Sequence, residues 1–165
     1  MTLRVGAVGL LVILQACAHG HLDPATARIP GPVGRIEVAA APDLPSDRIA
    51  RYRELDGDRV IRETIESELT SGGLWQANGA VGVVVTVRNF RLRSTANAFW
   101  NGFFAGSDLL DGTIQIRRGD AEPEQIAFKF SGNEDEYFKF SSAARFRSLA
   151  SALAREIRSR VDAVR

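Results

Sequence analysis

Val81-Gly82-Val83-Val84-Val85-Thr86-Val87 decides the fold class. All but Gly82 are β-branched, which suits a pleated strand and crowds χ1 in a helix. The run is apolar at successive positions rather than alternate ones, so the reading is a strand buried on both sides near the centre of a sheet. Further along, Phe90 and Leu92 alternate with Asn89, Arg91 and Arg93, and the strand turns amphipathic before it ends at 93. A sheet with such a strand needs helices to cover it.

Toward the N-terminus, Ile36, Val38 and Ala40 recur at period two over residues 35–41, a short first strand that Pro42 and Pro45 end. Residues 46–52 read as a brief helical turn. Asp56 or Asp58 then caps a helix whose first turn either would also suit electrostatically. Val60, Ile61, Ile65 and Leu69 fall on one face of it, with Arg59, Arg62, Glu63, Glu66 and Glu68 mostly on the other, and Gly72-Gly73 stops it. A helix between two strands is a possible β-α-β crossover, right-handed if the strands are parallel.

Toward the C-terminus, Leu110, Gly112, Ile114 and Ile116 alternate with polar residues, as do Ile126, Phe128 and Phe130. With a turn over 118–123 between them they form a hairpin with one face in the core. Gly132-Asn133-Glu134-Asp135-Glu136 is an acidic loop without the spacing or central glycine of a calcium loop. Ser141 or Ser142 caps a last helix whose apolar stripe is Phe146, Leu149, Ala150, Leu153, Ile157, Val161 and Val164. Arg145, Arg147, Arg155, Arg158 and Arg160 occupy its other positions. Such a basic amphipathic helix can lie on a membrane or cover a sheet, and this sheet requires a cover. The order β-α-β-β-β-α predicts a single α+β domain over residues 35–165: one mainly antiparallel four-stranded sheet packed against two helices.

Ahead of that domain, Arg4 is followed by ten uncharged residues, 5–14. A basic start, a short apolar run and a small residue before the cut describe a secretory signal, and the run is half the roughly 20 residues a membrane-spanning helix requires. Leu14-Gln15-Ala16-Cys17 closes it and resembles the lipobox of bacterial lipoproteins. That resemblance implies cleavage between Ala16 and Cys17, removal of residues 1–16 as a signal peptide, and acylation of Cys17 by a diacylglyceryl group and an amide-linked chain such as palmitate. Several acyl chains give stable anchoring where one is marginal. In a Gram-negative cell, Ala18 rather than Asp after the cysteine favours the periplasmic face of the outer membrane. Residues 17–34, with Pro24, Pro30 and Pro32, read as the lipidated cysteine and a flexible tether. His19 and His21, the only histidines, read as incidental residues of that tether rather than metal ligands.

Composition narrows the function classes. Without residues 1–16 the chain carries 20 basic and 20 acidic residues, so nothing supports a nucleic-acid-binding face. Cys17 is the only cysteine, which leaves the fold to its core alone. There is no Gly-x-Ser-x-Gly elbow, no phosphate-cradling loop and no Cys/His metal spacing; Glu63 and Glu66 sit on a solvent face without the apolar pocket that tunes a catalytic acid. No catalytic residue, metal or cofactor is expected beyond the lipid on Cys17.

The segment 94–108 is longer and more apolar than an ordinary hairpin connection. Phe99, Trp100, Phe103 and Phe104 lie within it, next to Gly102 and Gly106. Clustered aromatics mark either a contact surface for protein or lipid or a cap folded back on the core. Anchor, tether and domain together are similar to small envelope lipoproteins, among them auxiliary lipoproteins of transport systems. The resemblance implies a non-enzymatic binding or assembly component that docks an envelope protein partner. A carrier of lipid or a small hydrophobic ligand is the second class, and an envelope hydrolase the third.

Overall fold

The computed structural model describes residues 19–22, 29–93, 107–132 and 141–162. In chain order the elements are β1 (His19–Leu22), β2 (Ile29–Pro30), β3 (Val33–Ala40), α1 (Ser46–Glu54), α2 (Gly57–Ser71), β4 (Val81–Arg91), β5 (Leu109–Arg118), β6 (Glu124–Ser131), α3 (Ser142–Arg160) and β7 (Val161–Asp162). The fold is α+β, with a five-stranded sheet in the order β1-β6-β5-β4-β3 and a small parallel pair of β2 with β7.

The sheet is mixed. β1 with β6, β6 with β5, and β5 with β4 are antiparallel, whereas β3 and β4 run parallel. The parallel pair follows from the crossover: α1 and α2 carry the chain back to the starting end of β3 before β4 begins. The four-stranded, two-helix arrangement expected from the sequence therefore gains one strand and one helix. Residues 46–54 form a full helix rather than a brief turn. Part of the expected tether is built into the fold, because His19–Leu22 pairs with β6 and Ile29, 1% exposed, belongs to the core.

β4 alternates rather than being buried on both sides. Val81, Val83, Val85 and Val87 are buried, while Gly82, Val84 and Thr86 between them are half-exposed. α2 and α3 cover one face of the sheet, and the β-branched residues of the other face serve strand geometry without a second layer among the described residues. On the covered face Val85 stands opposite Ile114, and Ile114 opposite Ile126. Ile61, Ile65 and Leu69 of α2 and Leu149, Leu153 and Ile157 of α3 close that core, each 0–1% exposed. At about 1.5–3 kcal/mol for each large apolar side chain buried, this single layer dominates stability.

The helix ends are handled differently. Ser141 caps α3 by accepting from the Ala144 amide at 3.3 Å. Asp56 takes the N-cap position of α2 in a left-handed conformation (φ 52°), but its carboxylate makes no cap bond and instead accepts from Arg59 at 2.8 Å. α1 and α2 meet at a tight corner, where a Cβ on Gly57 would overlap the ring of Tyr52.

Candidate functional site

Two strands, β4 and β5, end at the roots of the aromatic insertion, and buried charge holds those roots together. The Arg93 amide donates to Asp108 Oδ1 at 2.9 Å. Arg145, from the first turns of α3, places its Nε 3.4 Å from Asp108 Oδ2, both side chains being 3% exposed. The same guanidinium donates through Nη2 to the Arg93 carbonyl at 2.6 Å. Outside this layer, Arg91 donates through Nε and Nη2 to the Ser107 carbonyl at 3.2 and 3.0 Å, and the Gly132 amide donates to the Asp108 carbonyl at 3.1 Å. Residues 91, 93, 107, 108, 132 and 145 are thus gathered at one end of the sheet.

An aromatic triad seats the cluster. Tyr52, Phe90 and Phe146 meet edge to face, with centroids 5.4 Å apart for Tyr52–Phe90 and Phe90–Phe146 and 6.0 Å for Tyr52–Phe146. Such pairs contribute about 0.5–1.5 kcal/mol each beyond their buried area. They tie α1, β4 and α3 together immediately beside Arg93 and Arg145. Burial pushes the Asp108 carboxyl above the ordinary carboxylate range; the Arg93 amide and then the guanidinium charges of Arg145, Arg93 and Arg91 pull it the other way. Charge is held here in a dry site, so the cluster acts on geometry: it fixes where the chain leaves the sheet at 93 and returns at 107.

Other polar features lie nearer the surface. Arg48 of α1 donates to Asn89 Oδ1, and Asn89 Nδ2 donates to Asp111 at 3.4 Å, bracing the bulge between Val87 and Asn89. An open groove of about 370 Å³ runs between α2 and α3, lined by Glu63, Thr64, Ser67, Glu68, Arg147 and Ser151 among others. A smaller trough of about 200 Å³ lies on the sheet between Arg35 and Arg117, across Gly82. Both are open to solvent. Among the described residues, no group of three His, Cys, Asp or Glu is placed to hold a metal ion, and no helix is long and apolar enough to cross a membrane.

The residues singled out from the sequence, Ala16, Cys17, Phe99, Trp100, Phe103 and Phe104, lie outside the described residues. So does the acidic loop from Asn133 on. The α3 arginines divide. Arg147, Arg155 and Arg158 are exposed as expected, but Arg145, expected on the polar face, is 4% exposed in the core. Its apolar stripe packs on α2 and the sheet, which is the covering role rather than the membrane-lying one. Sequence reasoning passed over Asp108 and Arg145, and each carried a signal. Asp108 has the parity of the inward residues Leu110, Gly112, Ile114 and Ile116. Arg145 stands four positions before Leu149 and eight before Leu153, on the buried stripe.

No family model and no curated protein sequence matches the chain. Its fold is similar to solved structures of PelC from Paraburkholderia phytofirmans, crystallised as a dodecamer. The likeness to a leucine-to-methionine variant of that protein has a TM-score of 0.52 at 12% identity, covering 88% of this chain and 100% of that one. A second PelC dodecamer, in another crystal form, gives 0.51 at 9% identity with the same coverage. At these identities the likeness is one of fold.

Proposed function

We propose that the chain is a lipid-anchored, non-enzymatic binding or assembly component of an envelope complex, held by Cys17 at the periplasmic face of the outer membrane. It would engage an envelope protein, or further copies of itself, through a sheet edge or through the segment carrying Phe99, Trp100, Phe103 and Phe104. The observation that carries this reading is the buried Asp108–Arg145–Arg93 cluster. Burying charge is costly, and here it is used to fix the two roots of the most aromatic insertion in the chain. The fold likeness to a protein that crystallises as a dodecamer is in keeping with an assembly role. A carrier function finds no such support, since the space between sheet and helices is filled by Ile61, Ile65, Leu69, Leu149 and Leu153.

The test is to replace Phe99, Trp100, Phe103 and Phe104 together by Ser in the full-length chain. The folded domain should persist by circular dichroism, while its co-purifying partner or its oligomer by light scattering is lost. Retention of the same assembly would overturn the docking role. In parallel, Cys17→Ser should accumulate unlipidated precursor and release the protein from the membrane fraction.

A further inference from the structure

At the end of the sheet where β3 and β4 begin and β5 ends, Gly82 stands inside β4 with no role in the backbone. A strand-interior glycine packs nothing and loses backbone entropy, so it marks a bulge, a bend or a close approach by another group. Its neighbours Gly34 and Gly79 are explained, since a Cβ on either would overlap the backbone of the other. The bulge at this point belongs to β3, between Val33 and Arg35. Gly82 has no positive φ, and a Cβ there would meet only the Arg117 Cβ, at an ordinary 3.7 Å. The fold would accept a side chain at 82.

What the missing side chain leaves is space between two arginines. Arg35 of β3 and Arg117 of β5 are the cross-strand neighbours of Gly82. They share its face of the sheet and flank it, their Cα atoms roughly 10 Å apart. Arg35 Nε lies 2.6 Å from Glu37 Oε1, a contact that holds this side chain along its strand and leaves its two Nη groups for another acceptor. Arg117 is exposed and makes no ion pair or side-chain hydrogen bond among the described residues. Half-exposed Val84, two positions after Gly82, continues the lining as an apolar shelf.

We infer that this trough binds a small carboxylate ligand, its carboxylate over Gly82 between the Arg35 and Arg117 guanidinium groups and its apolar body along Val84. Planar guanidinium forks match a carboxylate in two-point hydrogen bonds. Two arginines less Glu37 leave one positive charge on the lining, which a monoanion balances and a phosphate dianion exceeds. At about 200 Å³ the trough is smaller than the roughly 300–1,000 Å³ of a cleft for drug-sized molecules, so the ligand is small. The site lies at the opposite end of the sheet from the Asp108–Arg145 pair and is independent of the docking role proposed above.

The experiment is a titration of the full-length chain with sodium butanoate at pH 7, followed by two-dimensional NMR with sodium chloride of equal ionic strength as the control. The Gly82 amide and the Arg35 and Arg117 Nε–Hε signals should shift together and saturate at about millimolar butanoate. Arg117→Gln, at an exposed position, should keep the fold and weaken binding about tenfold. Gly82→Ala should melt no lower than the native chain and bind butanoate more weakly. Inorganic phosphate should bind more weakly than butanoate. Shifts that do not saturate, or an unchanged titration in Arg117→Gln, overturn the site. Phosphate binding as tightly as butanoate overturns the carboxylate assignment. A lowered melting midpoint in Gly82→Ala would show that the fold itself demands the glycine, and overturns its reading as the floor of a ligand site.

Discussion

The Tyr52 hydroxyl donates to the Asp58 carboxylate at 2.8 Å, bridging α1 to the first turn of α2 from a ring that is itself 1% exposed. The bond and its burial act on ionisation in the same direction. Desolvation first, then the Asp58 charge, then the hydrogen bond to the neutral hydroxyl push the Tyr52 pKa well above its ordinary value. A group whose folded pKa is raised contributes stability that is complete below its unfolded pKa and lost as pH rises above it. Tyr52→Phe should therefore lower stability by about 1 kcal/mol at neutral pH. Above the unfolded pKa of about 10, the native protein should lose up to about 1.4 kcal/mol per pH unit that the variant does not lose. Urea unfolding at pH 8 and pH 11 checks this, and a constant difference between the two proteins would be inconsistent with it.

Gly57 lies in the same corner and reverses a general rule. Gly→Ala near a helix start ordinarily stabilises by up to about 1 kcal/mol. A Cβ here overlaps the Tyr52 ring, so Gly57→Ala should destabilise by about 1–3 kcal/mol through overpacking. In a Tyr52→Leu background the penalty should vanish or change sign. Thermal denaturation of the four proteins of that cycle reads the coupling directly.

The roots of the aromatic insertion should depend on charge pairing rather than on either charge alone. Asp108→Asn leaves the Arg145 guanidinium buried without its counter-charge and should destabilise by about 3–5 kcal/mol. Adding Arg145→Met removes that stranded charge, and the double variant should be more stable than Asp108→Asn alone by at least about 1 kcal/mol. If the two losses simply add in urea unfolding, the pair is not what holds the roots.

Periodicity made the covered core legible. Ile61, Ile65 and Leu69, the Phe146 to Ile157 stripe, and the alternations from Leu110 and Ile126 are all buried where their spacing places them, whereas Val161, expected on the same helical stripe, is buried on β7 opposite Ile29. These are local patterns, each readable within one element. What escaped depends on partners distant in sequence. His19–Leu22 contains one large apolar residue and no recurring pattern, and it becomes a strand because β6 offers an edge. The half-exposed outer face of Val84 and Thr86 depends on where the helices go, and three valines in succession, Val83 to Val85, cannot report that. Residue type alone places Arg145 in solvent, although its spacing from Leu149 argues for the core; Asp108 lies 37 positions earlier and supplies the reason. Of the candidate site, the aromatic insertion was readable from composition, and the charged cluster that roots it was not.

Two arginines on one helix provide the sharpest contrast between buried and exposed charge. Arg158 donates to Glu68 of α2 at 2.7 Å, and the two side chains are 42% and 28% exposed. Water competes for both ends of that pair and each long side chain loses rotamer freedom to form it, so its net contribution is small. Arg158→Met should change stability by less than about 1 kcal/mol, and the change should shrink between about 0.05 and 1 M salt as the Debye length contracts. Arg145→Met removes a guanidinium that neither water nor salt reaches, and it should cost about 3 kcal/mol or more with little dependence on ionic strength. Urea midpoints for the two variants at both salt concentrations make the comparison. Similar losses, or a strong salt response at Arg145, would mean that the Arg145–Asp108 layer is wet, and the clamp on the 93 and 107 roots would then be no stronger than a surface ion pair.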